Sequence, residues 1–168
     1  WNAGSTPTSV DAITIPSGFN VNVDTNVAAN NALINSPVTI SNGSVNLYGT
    51  TSLGAKITLN NNNLNLKGAA SSVSGNATNY IVTNGTGTVN IENLDAARGT
   101  ISLPIGTTTN YNPVSLSNSG TSDTFSARVS DGISGTTNGA VNVTWEIAEA
   151  VAGGSNVNLN LGWDLTQE

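Results

Sequence analysis

The sequence predicts an all-β chain, a short β-solenoid of about four coils followed by a small antiparallel Ig-like β-sandwich. Three observations carry this expectation. A phrase recurs through the first half: Thr14-Ile15 leading to Val21-Asn22-Val23, Thr39-Ile40 to Val45-Asn46-Leu47, Thr58-Leu59 to Leu64-Asn65-Leu66, and a looser Val82-Thr83 to Val89-Asn90-Ile91. Units of roughly 20–25 residues are the mark of stacked coils, each covering the apolar face of the next. Helix signals are nearly absent, and the one stretch of helix-forming composition, Trp145–Ala150, is too short to hold without tertiary support. Beyond about Gly99 the alternating strings lengthen, as in Thr124–Ser130 and Val141–Ile147, in the manner of a small sandwich.

The elements follow from period-two alternation between Gly, Asn, Ser and Pro clusters. In the repeat, strands are expected over 12–15, 20–23, 32–34, 38–40, 45–48, 56–59, 64–66, 80–83 and 88–93. Each recurring unit reads as two strands joined by a bend. The linkers Asn42-Gly43, Asn61-Asn62 and Asn84-Gly85 are residues that accept positive φ cheaply. A hairpin needs only such a turn. The near-constant spacing favours arcs, with each strand paired to its equivalent one coil away. Apolar residues flanking each Asn must share a face, so stacked equivalents would set Asn22, Asn46, Asn65 and Asn90 in a line, with Ile15, Ile40 and Leu59 in stripes beneath. The alternative is that these Asn simply face water. The second half adds strands over 100–103, 114–117, 124–130, 140–147 and 156–163. The boundary is placed at 94/95, giving a repeat region 1–94 and a sandwich 95–168. The joint Asp95–Arg98 is too short for a flexible linker, so the halves should pack rigidly.

Composition narrows function. Of 168 residues only 8% are charged, and the net charge is -6, with four basic residues in no cluster. That argues against nucleic acid and anionic membrane surfaces. No stretch approaches the length of a membrane-spanning helix. Disorder is disfavoured because 37% of residues are apolar and occur in tight alternating strings. With no Cys and no His, serine-histidine and cysteine-histidine catalysis and zinc thiolate sites are excluded. The absence of Cys does not by itself point to the cytosol. The chain begins at Trp1 and is read as a processed or excised piece of a secreted precursor.

Few residues suggest chemistry. The carboxylate pairs Glu146/Glu149, Asp123/Asp131 and Glu92/Asp95 read as solvated rim charges rather than a hydrolytic pair. Asp123, Asp131 and neighbouring oxygens could supply part of a structural calcium shell, but no calcium-binding loop motif is present, and no other cofactor is expected. Aromatic side chains can stack on sugar rings: Trp1, Tyr48, Tyr80 and Tyr111 are the candidates, while Trp145 and Trp163, inside alternating strands, read as core. Sequons at Asn42, Asn76, Asn84 and Asn142 are weak signals in so Asn-, Ser- and Thr-rich a chain.

The passages Val73–Ile91, Ile101–Leu116, Asn118–Val129, Val143–Ile147 and Leu161–Asp164 resemble those of large secreted surface proteins of Bacteroidota, typically exported by the type IX system and including adhesin-like and gliding-associated chains. The resemblance spans roughly residues 10–165 and carries no catalytic landmarks. It implies an extracellular, cell-surface, non-enzymatic role. In such proteins the passage after Leu161–Glu168 continues for further strands, and Trp1–Ser5 looks like the tail of such a continuation. The expectation is head-to-tail assembly by strand addition between copies or neighbouring repeats, through Trp1, Asn2, Ala3, Gly4 and Leu165. The alternative is a carbohydrate-binding module contacting surface glycans.

Overall fold

A computed structural model describes residues 5–133 and 139–168. The repeat winds as a parallel β-solenoid of about three turns. Its first rung holds β1 (Ala12–Ile15), β2 (Val21–Val23) and β3 (Val27–Ala29). The second holds β4 (Asn31–Ile34), β5 (Val38–Ile40) and β6 (Ser44–Leu47). The third holds β7 (Thr50–Leu53), β8 (Ile57–Thr58) and β9 (Asn63–Leu66). The fourth holds β10 (Ser72–Ser74), β11 (Ile81–Val82) and β12 (Val89–Leu94). Equivalent strands pair in parallel from rung to rung, so β1, β4, β7 and β10 make sheet A, β2, β5, β8 and β11 make sheet B, and β3, β6, β9 and β12 make sheet C. The bends are therefore arcs, not hairpins.

The recurring phrase does not keep one register. Its first copy spans β1 and β2, from sheet A to sheet B, whereas the other three run from sheet B to sheet C. Thr14 lies opposite Leu33, not Thr39, and it is Asn22 that faces Thr39. The first spacing is thus a full turn plus one arc, and the four rungs are joined by three rung-to-rung steps, about three turns where about four coils were expected. The apolar stripes correct in the same way. Ile15 stacks on Ile34 and Leu53 in sheet A, while Ile40 stacks on Val23 in sheet B. Ile40, Leu59, Leu64, Leu66 and Ile91 are fully buried, as period-two alternation with one face inward requires.

The corners set how closely the rungs approach. A Cβ on Gly68 would lie 2.2 Å from the Tyr48 carbonyl oxygen, and one on Gly43, whose φ is 88°, would lie 2.5 Å from the Thr25 carbonyl carbon. Only glycine lets these two corners rest directly on the rung below.

After Gly99 the chain reverses the pattern. It forms β13 (Ile101–Leu103), β14 (Ile105–Gly106), β15 (Val114–Asn118), β16 (Asp123–Asp131), β17 (Val143–Glu149), β18 (Val157–Leu161) and a 3₁₀ turn, Leu165–Gln167. The stretch of helix-forming composition lies mainly in β17. Strand β14 extends sheet B in parallel, but β16 joins β12 antiparallel, and β17 follows on β16. Strands β13, β15 and β18 form a separate antiparallel sheet. One apolar cluster runs from Ile15 through Leu66, Leu94 and Leu116 to Val143, so the two regions share a core. Among the described residues no helix is long and apolar enough to cross a membrane.

The joint is fastened by Arg98. Its guanidinium donates to the Glu92 carbonyl, to Ser71 Oγ (2.7 Å) and carbonyl (3.3 Å), and to the Leu66 carbonyl (3.4 Å). A planar fork of donors suits such a bridge between the third and fourth rungs. The other three bases also tie successive elements. Lys56 donates to Tyr80 Oη (2.9 Å), Lys67 pairs with Glu92 (2.6 Å), and Arg128 pairs with Glu146 and donates to the Gly85 carbonyl (2.8 Å).

Candidate functional site

The two ends of the solenoid differ. In a parallel ladder, alternate residues point their backbone groups to opposite neighbours. The Ile15 carbonyl accepts from Asn35, and the Val23 carbonyl from Ser41, so the odd-numbered residues of β1 and β2 face the second rung. Thr14 and Asn22 therefore turn their N–H and C=O groups to the open end, where among the described residues no strand pairs with β1 or β2 on that side. In β3 the corresponding Ala28 N–H is met by the Pro7 carbonyl (3.3 Å), so among the described residues the segment before β1 reaches the edge of sheet C. A depression lined by Thr14, Ile15, Phe19 and Val21 lies between β1 and β2, with Phe19 59% exposed. At the opposite end β14, β16 and β17 extend sheets B and C, and β17 and β18 are the outer strands of their sheets.

Of the residues expected at an assembly contact, Trp1, Asn2, Ala3 and Gly4 lie outside the described residues. Leu165 opens the 3₁₀ turn and is 77% exposed. Beside it, the half-exposed Trp163 meets Trp145 edge-on at 6.4 Å. Trp145 packs against the core, but Trp163 falls just past β18 and leaves it, contrary to expectation. Exposed Val151 and Leu159 lie in the same antiparallel region. Phe19 and Leu159 were not singled out from sequence. Phe19 sits in a bend and carries no periodic signal, and Leu159 alternates like any core residue but lies on an edge strand.

The stacking candidates separate. Tyr80 is core, only 1% exposed, with its ring 5.5 Å from that of Tyr111 and the Lys56 ammonium 4.2 Å from its centroid; it offers no face to a sugar. Tyr111 is half-buried, and desolvation raises the pKa of its phenol. Tyr48 stands exposed at the corner after β6.

The outer face of sheet C is the most regular polar surface. Asn46, Asn65 and Asn90 are in register, and Asn65 Nδ2 donates to Asn46 Oδ1 (2.8 Å) as Asn90 Nδ2 does to Asn65 Oδ1 (2.7 Å). This is the expected ladder, corrected at its first member. Asn22 belongs to sheet B, and the place below Asn46 is taken by Ala28. A second column alternates amide and hydroxyl: Asn26 Oδ1 accepts from the N–H (2.9 Å) and Oγ (3.1 Å) of Ser44, and Asn63 Oδ1 from the N–H (3.0 Å) and Oγ1 (3.2 Å) of Thr88. Asn31 clamps Thr50 in the same way on sheet A, and Asn61 clamps Thr86.

Several of the candidate carboxylates hold partners within the fold. Glu92 and Glu146 hold Lys67 and Arg128, Asp95 accepts from the Arg98 N–H (2.9 Å), and Asp123 accepts from the Thr124 and Val151 N–H groups. Asp123 and Asp131 occupy opposite ends of β16, roughly 26 Å apart for a strand of that length, and cannot share a calcium shell. Among the described residues no group of three or more acidic side chains gathers to hold a metal.

No match is found. Neither a family model, nor a curated protein, nor a solved structure matches the chain.

Proposed function

We propose that the chain is a non-catalytic structural module, a segment or subunit of an extracellular surface filament or adhesin, joined end to end with like modules. The observation that carries this reading is the asymmetry of the stack: at one end, among the described residues, β1 and β2 present edges with no paired strand, and at the other β14 prolongs sheet B while antiparallel β16 and β17 prolong sheet C. We read that closing region, in which β16 and β17 prolong sheet C and β13, β15 and β18 form their own antiparallel sheet, as a small sandwich-like cap. An uncovered edge is a template for another strand, and head-to-tail contacts of this kind propagate unless they close into a ring. The surface location rests on the resemblance to secreted Bacteroidota proteins. The test targets the edge alone. Thr14→Pro and Asn22→Pro each remove an outward-facing N–H while sparing the ladder to the second rung. Sedimentation velocity should show concentration-dependent association of the parent chain and its loss in the double variant, with unchanged circular dichroism. A parent chain that stays monomeric at all concentrations, or a double variant that associates equally, sinks the reading.

A further inference from the structure

We propose that the outer face of sheet C binds a neutral linear glycan, laid across the strands along the stacking direction with Tyr48 as its stacking platform. Three columns stand in register on this face. Ser44, Asn63 and Thr88 form one, Asn46, Asn65 and Asn90 the next, and Tyr48, Lys67 and Glu92, which follow the paired residues Leu47, Leu66 and Ile91, the third. Antiparallel β16 prolongs the surface, with Ser126 opposite Asn90.

The hydrogen bonds leave capacity for a ligand. A carboxamide carries two N–H donors and an oxygen with two lone pairs. Asn65 and Asn90 each spend one donor on the ladder, and each Oδ1 accepts once, from Asn90 Nδ2 and from Thr88 Oγ1 (2.8 Å) respectively, so each half-buried amide keeps one donor and one lone pair. These groups repeat at the strand spacing of about 4.8 Å. The hydroxyls of a linear glycan also repeat at a regular interval of this order, and each can donate and accept. A ligand running across the strands meets a carboxamide at every step, with spare donors on Asn65 and Asn90, while Asn46 turns its own N–H groups to the Val27 carbonyl and Ser44 Oγ.

Charge selects among linear ligands. Lys67 is neutralised by Glu92, and Arg128 by Glu146. The net charge of -6 is therefore carried by the remaining eight carboxylates with Lys56 and Arg98, none of which belongs to the three columns. No cation is free on the face to hold a polyanion, and the field of the whole chain repels one. Tyr48, 38% exposed at the corner, supplies an aromatic ring with a wet hydroxyl, the kind of surface on which a sugar ring packs its C–H face. This site is independent of the open end, and binding there does not require assembly.

The test uses the full chain with cellohexaose, mannohexaose and xylohexaose as probes and a galacturonate hexamer as charged control. In amide-resolved NMR titrations, at least one neutral probe should shift resonances of residues 44–48, 63–67 and 88–92, and the uronate should not. Tyr48→Ala should weaken binding by about tenfold, and Tyr48→Trp should restore it. Circular dichroism shows whether each variant remains folded, and the parent titration locates the site without any variant. The proposal is overturned if no neutral probe shifts these strands at millimolar concentration, if shifts fall only on residues 14–22 or 157–168, if the uronate binds equally, or if Tyr48→Ala binds as the parent does.

Discussion

The stacked rungs and the closing strands use one core but opposite means of holding it. In the rungs, each strand touches neighbours a turn away, and the corners are fixed by polar side chains reaching to the next rung: Asn26 to Ser44, Asn31 to Thr50, Asn63 to Thr88. In the closing strands, antiparallel pairing holds neighbours with long ladders, such as the seven paired positions of β16 and β17, and the polar side chains serve turns. The difference teaches that the rung region is sensitive at its corners and its centre, whereas the closing region is most tolerant at its edges.

The largest break in that comparison should come from the core. Leu66→Ala, fully buried between sheets, should cost about 2–5 kcal/mol in urea unfolding, while Leu159→Ala on edge strand β18 should cost well under half as much. An equal loss at both sites would show that β18 is as enclosed as the rungs. Next come the corners. Gly68→Ala must displace the Tyr48 carbonyl and should cost about 1–3 kcal/mol, whereas Gly132→Ala, with open space around it and a φ of 90°, should show only the backbone penalty of about 1–2 kcal/mol. A crystal structure of the Gly68 variant should show the third and fourth rungs shifted at that corner. Smaller again is the ladder: Asn65→Ala leaves Asn46 and Asn90 without their shared partner and should cost about 1 kcal/mol, readable as faster amide exchange in β6, β9 and β12. The smallest effect concerns pH. Thr8 lowers the pKa of Asp11, chiefly by its hydroxyl hydrogen bond, and Thr166 lowers that of Asp164, chiefly through its backbone N–H. A carboxyl with a depressed folded pKa contributes stability above its unfolded value near 3.8, and that contribution is lost as pH falls through the folded one. NMR titration should find both carboxyls below the usual Asp range, and the Thr8–Asp11 turn and the 3₁₀ turn loosening in acid before the rungs do.

Much of this architecture was legible in the residues. The strands expected from alternation are present, the bends are arcs, and the Asn column exists. Four strands escaped: β3, β7, β10 and β14. Val27-Ala-Ala29, Thr50-Thr-Ser-Leu53, Ser72-Val-Ser74 and Ile105-Gly106 carry too few large apolar residues to announce themselves. They are strands because a neighbouring rung supplies a template. The same locality explains the misplaced first copy. A Thr-Ile and Val-Asn-Val pair satisfies any two adjacent arcs, so the phrase alone does not fix which corner it turns. The groups that define the open end, the outward backbone of Thr14 and Asn22, depend on pairing register and have no signature in composition. The exposed face of Tyr48 and the burial of Tyr80 were equally hidden, since both sit at the end of a strand and only the neighbouring rung decides which is covered.

The register of the rungs also has a mechanical consequence. All three parallel ladders run along one axis, so a force along that axis stretches the hydrogen bonds of a rung in three sheets at once, rather than peeling one strand at a time. Arg98, Lys67 and Arg128 cross the last rung junctions and would share the load. The first rungs have no such cross-ties among their charged side chains. Under tension the stack should therefore yield from its open end, shedding rungs one turn at a time while the closing strands hold.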